Sequence, residues 1–127
     1  MIREHKYKAK RLDNGKWVEG YYWQNWCGNH FIRTTIEHGC IIIKDCEIDP
    51  ETLCEFTGEY DKKNNMIWEH DIVSMRKYGK GHKYAEVYFR KGKFAVNGSN
   101  YGFKDLAPST YEVIGNIFDN PELLEGK

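Results

Sequence analysis

The sequence contains no apolar run near the ~20 residues with which a helix crosses a bilayer, and its first residues lack the apolar core of a signal peptide. We therefore expect a soluble protein, with no membrane partner, that stays in the cytoplasm where it is made. The sequence also lacks a Gly-rich phosphate loop, a metalloprotease helix and a nucleophile elbow. No enzymatic activity is therefore expected.

An excess of charge of one sign is also lacking, because 19 basic residues balance 19 acidic residues. A neutral chain has little long-range attraction for a polyanion, which argues against a dedicated nucleic-acid binder. The charges are unevenly placed, however: residues 45–59 carry six acids and no base, and residues 76–93 carry seven bases and one acid. One acidic and one basic segment in the same chain favour head-to-tail association of copies or the binding of a charged partner.

The four cysteines include no Cys-x-x-Cys pair. A zinc site made of Cys27, His30, His38 and Cys40 would need a β turn that brings the two pairs together. The alternative, favoured by the irregular spacing, is a set of reduced, partly buried cysteines with no metal and no cofactor. A chain of 127 residues can bury enough surface to fold without a metal or a disulfide.

Aromatic residues are plentiful, with four Trp, nine Tyr and six Phe, and they favour strands and interfaces. A first hairpin is predicted over residues 7–22, with Asn14-Gly15 as a two-residue turn that sets Leu12 opposite Trp17 and Lys10 opposite Glu19. A strand is predicted over residues 31–36, and a short buried strand over residues 41–43.

A second hairpin is predicted over residues 84–97, with its turn at Lys91-Gly92. Its register sets Val87 with Val96 and Phe89 with Phe94 on an apolar face. A last strand is predicted over residues 111–118. Short helical turns are predicted at the Asp-Pro-Glu of residues 49–51, ending at Thr-Gly over 57–58, and at the Asn-Pro of residues 120–121.

The first hairpin and the connection that follows it carry five large aromatic rings within about ten residues. Because one side of a two-stranded ribbon cannot bury all of them, the surplus predicts an interface and a homo-oligomer. The candidate interface residues are Trp17, Tyr21, Tyr22, Trp23 and Trp26.

The basic stretch 76–93 interleaves lysines and arginines with tyrosines, as nucleic-acid-binding surfaces of small barrels do. The candidate nucleic-acid residues are Lys83, Tyr84, Tyr88, Arg90 and Lys93. The favoured alternative is a solvated face, or a positive pole that meets the acidic segment of another subunit. Nucleic acid is therefore a possible partner but not the favoured one.

Glu69, His70 and Asp71 combine residue types that serve in acid–base catalysis. Neighbouring side chains of a strand point to opposite faces, so these three are not expected to converge. We expect Asp71 to accept hydrogen bonds from the backbone and Glu69 to be solvated. No catalytic residue is predicted.

Three blocks carry a family resemblance: Asp-Pro-Glu-Thr-Leu…Phe-Thr-Gly over residues 49–58, Asp-Lys…Ile-Trp-Glu-His-Asp-Ile-Val over 61–73, and Glu-Val-Ile-Gly-Asn-Ile-Phe…Asn-Pro-Glu-Leu-Leu over 112–124. In this order they resemble the YopX family of phage and prophage proteins. The resemblance implies a mainly β fold, with a small N-terminal β-rich unit (residues 1–58) followed by an SH3-like β-barrel with short helical turns (residues 59–127). It also implies a homo-oligomeric phage protein without established catalytic residues.

The chain departs from the family pattern at two turns. Lys63-Asn64 stands where the family usually has Asn-Gly, and His70 stands where it has Gly. Because Asn and His tolerate a left-handed backbone better than most residues, the fold is expected to accommodate both. The function expected is that of a non-catalytic oligomeric binding or assembly module in a bacterial host cell, and nucleic-acid binding is the alternative.

Overall fold

The computed structural model describes residues 6–37, 39–76, 82–90, 93–96, 104–105 and 111–125. The chain divides into two compact units between Phe56 and Thr57, just before the boundary expected after residue 58. The described elements are almost all strands, arranged in antiparallel sheets, which confirms the mainly β class. None of the helices in these described ranges is long and apolar enough to cross a membrane.

The first unit is a meander of strands. Its elements are β1 (Tyr7–Lys10), β2 (Trp17–Gln24), β3 (His30–Glu37), β4 (Ile41–Glu47), a 3₁₀ helix (Pro50–Thr52) and the start of β5 (Cys54–Tyr60). The hydrogen-bonded order is β4-β3-β2-β1-β5, and β5 continues past the division to pair with β6. An isolated bridge from Arg11 to Ile48 ties the end of β1 to the chain just after β4.

The second unit follows the same antiparallel plan. Its elements are β6 (Met66–Trp68), β7 (Asp71–Arg76), β8 (His82–Arg90), β9 (Lys93–Val96), β10 (Lys104–Asp105), β11 (Tyr111–Asn116) and α1 (Glu122–Glu125). The strand order is β10-β9-β8-β7-β11. These described strands form an open sheet, so the expected barrel is confirmed only as an antiparallel β unit. The predicted last strand is present but ends at Asn116, two residues before the expected end, and the terminal helical turn begins at Glu122, just after the predicted Asn-Pro.

Each unit has its own apolar core, built by the period-two alternation of its strands. The first core consists of Ala9, Val18, Ile32, Cys46 and Ile48, with Tyr7, Tyr22 and Leu53 packed against it. The second consists of Ile67, Val73, Ala85, Val87, Val96 and Tyr111, with Val113 packed against it.

The β8–β9 hairpin has the predicted register, with Val87 opposite Val96 and Phe89 opposite Phe94. The two phenylalanine rings are 4.8 Å apart. The predicted turn residues, Lys91 and Gly92, lie outside the described residues.

The register predicted for the first hairpin is wrong: the observed pairing is shifted by two residues along β1. Lys10, not Leu12, faces Trp17, and Lys8 faces Glu19. The turn is longer than two residues because the Arg11 amide donates to the Lys16 carbonyl and the Leu12 amide donates to the Glu47 carbonyl. Leu12 is therefore left exposed in the turn.

The predicted burial of residues 41–43 is also wrong. Ile41, Ile42 and Ile43 are 68%, 49% and 64% exposed. They begin β4, the outermost strand of its sheet, where pairing to β3 covers one edge only.

The 3₁₀ helix begins as predicted, because the Asp49 carboxylate accepts the Glu51 amide at 3.1 Å and Pro50 follows the cap. It ends earlier than predicted, at Thr52. Thr57 and Gly58 lie within β5 instead, and the buried Thr57 hydroxyl donates to the Ile67 carbonyl at 2.7 Å. A tertiary hydrogen bond has thus placed residues with turn chemistry in a strand.

The two turns at which the sequence departs from the family pattern are both left-handed, with φ of +66° at Asn64 and +72° at His70. The expectation that Asn and His would occupy such positions is confirmed. At the first of these turns Asp61 accepts amide hydrogen bonds from both sides of the loop and from β11.

Candidate interaction surface

The candidate surface is built on β2, whose residues alternate between the core and solvent. Val18 points into the first core, while Glu19 and Tyr21 point outward and Tyr21 is 72% exposed. Pairing with β1 and β3 extends this outward side across the sheet. We call it the outer face; its residues are Lys8, Lys10, Trp17, Glu19, Tyr21, Trp23, Phe31, Arg33 and Asp45.

Trp23 is held in place by contacts with three neighbouring side chains. It stacks on Phe31 with centroids 4.7 Å apart, and the Arg33 guanidinium lies 5.5 Å from its centroid. Its indole N–H donates to Asp45 at 3.0 Å. Asp45 also accepts two bonds from Arg33, which lower the pKa of that carboxyl below its ordinary value, with Trp23 adding to the effect.

Trp17 lies on the same outer face as Trp23, at the end of β2 that pairs with β1. Lys8 and Lys10 place their ammonium groups 4.7 and 5.5 Å from its ring centroid, as cation–π contacts. Lys6 pairs with Glu19 at 3.2 Å beside them. Because the Trp17 ring is already held by these contacts, little side-chain entropy would be lost if a partner bound it.

The structure separates the five predicted interface aromatics into three groups. Trp17, Tyr21 and Trp23 share the outer face. Tyr22 packs on the opposite side, 5.8 Å from Tyr7, with its hydroxyl 2.6 Å from His30 Nδ1. Trp26 lies in the turn between β2 and β3.

Trp26 is 96% exposed on a turn that is tightly bonded beneath it. The Asn25 side-chain oxygen accepts the amides of Cys27 and Asn29 at 3.1 and 2.8 Å, and the Asn25 amide donates to Asn29. The turn is therefore fixed by its own hydrogen bonds. This arrangement presents the largest side chain type on a preorganised loop.

The candidate nucleic-acid residues lie on the β8–β9 hairpin. Lys83 alternates with Tyr84 along β8, so their register positions belong to opposite faces, while Arg90 pairs with Lys93. Tyr84 is exposed, but Tyr88 is half-buried and its hydroxyl oxygen is buried. The five positions therefore do not all belong to one face of the hairpin.

The cysteines lie in two environments. Cys46 and Cys54 are buried, and Cys27 and Cys40 are exposed in the turns at the two ends of β3. Eight strand residues separate those ends by about 25 Å, so Cys27 and Cys40 cannot ligate the same ion. Within the described residues no group of His, Cys, Asp and Glu is arranged to hold a metal ion; His38 lies outside them.

The expectation that Glu69 and His70 point apart is wrong, because they form a turn and not a strand. His70 Nδ1 is 2.9 Å from Glu86, and its Nε2 is 3.8 Å from Glu69, whose side chain is 25% exposed. The His70 ring also meets Phe118 edge-on, with centroids 5.6 Å apart. Asp71 accepts the Trp68 amide at 2.8 Å, the backbone role that was predicted for it.

His70 is expected to make stability depend on pH. The hydrogen bond with Glu86, together with the charges of Glu69, Glu86 and Asp71, raises the pKa of His70 above its ordinary 6.5, despite burial. Because the pKa of His70 is raised in the folded state, the His70 contribution to stability is complete below pH 6.5. It is lost as the pH rises through the pKa of His70 in the folded protein. The midpoint of urea unfolding, followed by tryptophan fluorescence, should therefore fall across that window.

The matched variants for this prediction are Glu86→Gln and Glu59→Gln. Glu86→Gln removes the charged partner of His70 and should flatten the pH dependence above 6.5. Glu59 is exposed, and its replacement should leave the dependence intact. An unchanged slope in Glu86→Gln would show that His70 is not its source.

Comparison with known proteins identifies a solved structure with a similar fold and the family to which the chain belongs. A solved structure described as protein EF1440 from Enterococcus faecalis is similar to this chain, with a TM-score of 0.60 and 24% identity, over 97% of this chain and 99% of that one. At this identity the likeness shows the fold alone. No curated protein matches the sequence. The sequence matches the family described as YopX protein over residues 6–125, nearly its whole length, and the chain therefore belongs to the YopX protein family.

Proposed function

We propose that this protein is a non-catalytic, homo-oligomeric binding or assembly module that serves a phage or prophage in the cytoplasm of its bacterial host. The second unit would work as a small SH3-like β scaffold. The proposal depends mainly on one observation: Tyr21 and Trp26 are 72% and 96% exposed, on a braced sheet face and on a hydrogen-bonded turn. Large exposed aromatics on rigid supports are the residues that dominate binding energy in protein interfaces.

The outer face supports an assembly role through its composition. Its aromatic rings and its arginine match the centre of protein interfaces, where Trp, Tyr and Arg are enriched. The charges near them are already paired, Arg33 with Asp45 and Lys6 with Glu19. A partner that covers these pairs would bury charges that already have a counter-charge, and an uncompensated buried charge is the costlier case.

The test compares two double variants by light scattering at micromolar concentration. Tyr21→Ser with Trp26→Ser should lower the mass of the assembly and leave the far-ultraviolet circular dichroism of the folded chain unchanged, because both side chains are exposed. The control is Leu12→Ser with Tyr60→Ser in the same format, which removes exposed side chains away from the two aromatics and from β4. An aromatic variant with an unchanged mass would argue against this surface.

Nucleic-acid binding through the basic hairpin is the alternative. It predicts a complex with single-stranded DNA at low salt that weakens steeply as salt is added and that is lost in Tyr88→Ala. The half-buried position of Tyr88 favours a packing role for its ring, so we expect no salt-sensitive complex. A micromolar complex with this salt and variant dependence would replace assembly as the proposed function.

A further inference from the structure

The exposed edge of β4 is unusual for a strand of its composition. Ile41, Ile42 and Ile43 have strong β propensity, and all three are largely exposed. The stretch contains no Pro and no charge, which are common means by which edge strands avoid pairing with other chains. The charged residues Lys44 and Asp45 begin only after it. The unprotected part of the edge is thus confined to three residues.

Backbone hydrogen bonds show which residues of β4 face away from β3. The Ile48 amide donates to His30, whereas the Glu47 carbonyl accepts from Leu12, so even-numbered residues point to β3 and odd-numbered residues point away from it. By alternation, Ile42 bonds to β3, while the amides and carbonyls of Ile41 and Ile43 point to the outer edge. That edge can accept another strand without breaking any β3–β4 bond.

We propose that the edge of β4 pairs antiparallel with the same edge of a second copy of this chain, with Ile42 on the two-fold axis. This names the surface of the self-association on which the proposed function rests. Ile41 would pair with Ile43 of the partner and Ile43 with the partner's Ile41, through four backbone hydrogen bonds. The two Ile42 residues would face each other as a non-hydrogen-bonded pair.

The charges next to the isoleucines select a second copy in this register. Here Lys44 lies opposite Cys40 and Asp45 opposite Gly39, so no charge meets a like charge or an isoleucine. A shift of two residues along one strand would set Ile41 against the carboxylate of Asp45, and a shift of four would set Lys44 against Lys44. A shift in the other direction would set Ile42 and Ile43 against Cys40 and Gly39, so only the register centred on Ile42 pairs all three isoleucines with isoleucines.

The pairing would also join two outer faces. Arg33 lies opposite Asp45 across β3 and β4, and Thr35 lies opposite Ile43, so the outer face reaches the same end of β4. Two copies joined at this edge would form one continuous sheet with Trp23 and Arg33 repeated on each side of the axis. The edge contact alone is small, and this shared aromatic surface enlarges what further subunits or partners can contact.

Disulfide trapping tests the axis. In a chain with the exposed cysteines removed by Cys27→Ser and Cys40→Ser, Ile42→Cys should give a covalent dimer as the main species under mild oxidation, because non-hydrogen-bonded pairs bring Cα atoms within about 4.5 Å. The matched control is Thr35→Cys, exposed on the neighbouring strand but too far from its own copy to bridge. Equal cross-linking of the two variants would overturn the proposal.

A charge exchange tests the register. Ile43→Lys alone sets a cation against an isoleucine in both outer pairs, and the mass by light scattering should fall. Adding Ile41→Glu puts opposite charges in both pairs, and the mass should return to that of the unmodified chain. Failure of this rescue, together with cross-linking at background, would mean that another surface joins the copies.

The outcomes separate this inference from the proposed function. An oligomer that resists both tests contradicts the β4 pairing and leaves the assembly role standing. A chain that is monomeric before any substitution contradicts both. Trapping of β4 by an added extended peptide, without self-association, would instead make another protein's strand the occupant and would overturn pairing between copies.

Discussion

Replacing Asp61 by alanine is expected to lower the free energy of unfolding by about 3–5 kcal/mol, because three partly buried N–H groups lose their acceptor at a cost of about 1–3 kcal/mol each. The carboxylate is only 5% exposed and accepts the amides of Lys63, Asn65 and Val113 at 2.9, 2.8 and 2.9 Å. Its loss would release both the loop before β6 and the start of β11. Urea unfolding followed by tryptophan fluorescence measures the change.

Two variants sharpen this prediction. Asp61→Asn keeps one acceptor oxygen for the loop and should cost less than alanine. Asp13→Ala removes an exposed carboxylate whose ion pair is with its neighbour Arg11, and should leave the free energy of unfolding almost unchanged. An Asp61→Ala protein as stable as Asp13→Ala would contradict the structural role given to this side chain.

Asp61 is also expected to affect how the free energy of unfolding depends on pH under acidic conditions. Burial by itself would raise its pKa, but the hydrogen bonds from Val113, Asn65 and Lys63 outweigh burial and hold the pKa below the ordinary 3.8. A lowered pKa in the folded state contributes stability that is present above 3.8 and is lost as pH falls through the folded value. Asp61→Asn should therefore lose less stability than the unmodified chain below that pH.

Gly20→Ala is expected to lower the free energy of unfolding by more than about 3 kcal/mol, through overpacking of a backbone contact that has no room to relax. A Cβ atom at Gly20 would overlap the Arg33 carbonyl oxygen and lie 2.9 Å from its carbon. Both belong to the ladder of β3, so β2 and β3 would have to separate. Because the first core packs on this ladder, the loss should spread through the first unit.

Gly15→Ala is the matched control. The backbone of Gly15 is left-handed, with φ of +71°, but nothing lies within 4 Å of the added atom. The expected loss is therefore only the conformational cost, about 1–2 kcal/mol. Similar losses in the two variants, measured by urea unfolding, would show that β2 and β3 are less closely packed than described.

Local pattern predicted the hairpin of β8 and β9, because its register depends only on alternation and a short turn. The first hairpin carries an equally clear Asn-Gly signal, yet its register is different. There the Leu12 amide donates to the Glu47 carbonyl and the Asp49 amide donates to the Lys10 carbonyl, and those long-range bonds lengthen the turn. A turn signal is reliable where nothing distant competes for the same backbone groups.

Two features could not have been read from the sequence. The most distant hydrogen bond of Asp61 reaches Val113, 52 residues away, and no local motif announces it. The isoleucines of β4 indicate burial by composition, but their exposure follows from the position of that strand at the edge of the sheet. Sheet order depends on which strands pair over long separations, and apolar residues alone do not specify it.

The aromatic cluster shows what composition can and cannot supply. An excess of rings predicted a surface, and Tyr21 and Trp26 are indeed exposed. Alternation along β2 then divides the rings, so that Tyr22 packs inward while its neighbours Tyr21 and Trp23 lie on the outer face. The sequence could indicate the region, whereas the choice among its residues required the register.

The mass of the unmodified chain in solution tests the central claim most directly. Light scattering at micromolar concentration and moderate salt should give a mass at least twice that of the 15.0 kDa chain, because the exposed aromatics and the β4 edge are proposed as contacts between copies. Because the association is reversible, dilution should lower the mass gradually as the copies dissociate. A mass of 15.0 kDa at every concentration would contradict both the assembly role and the pairing of β4.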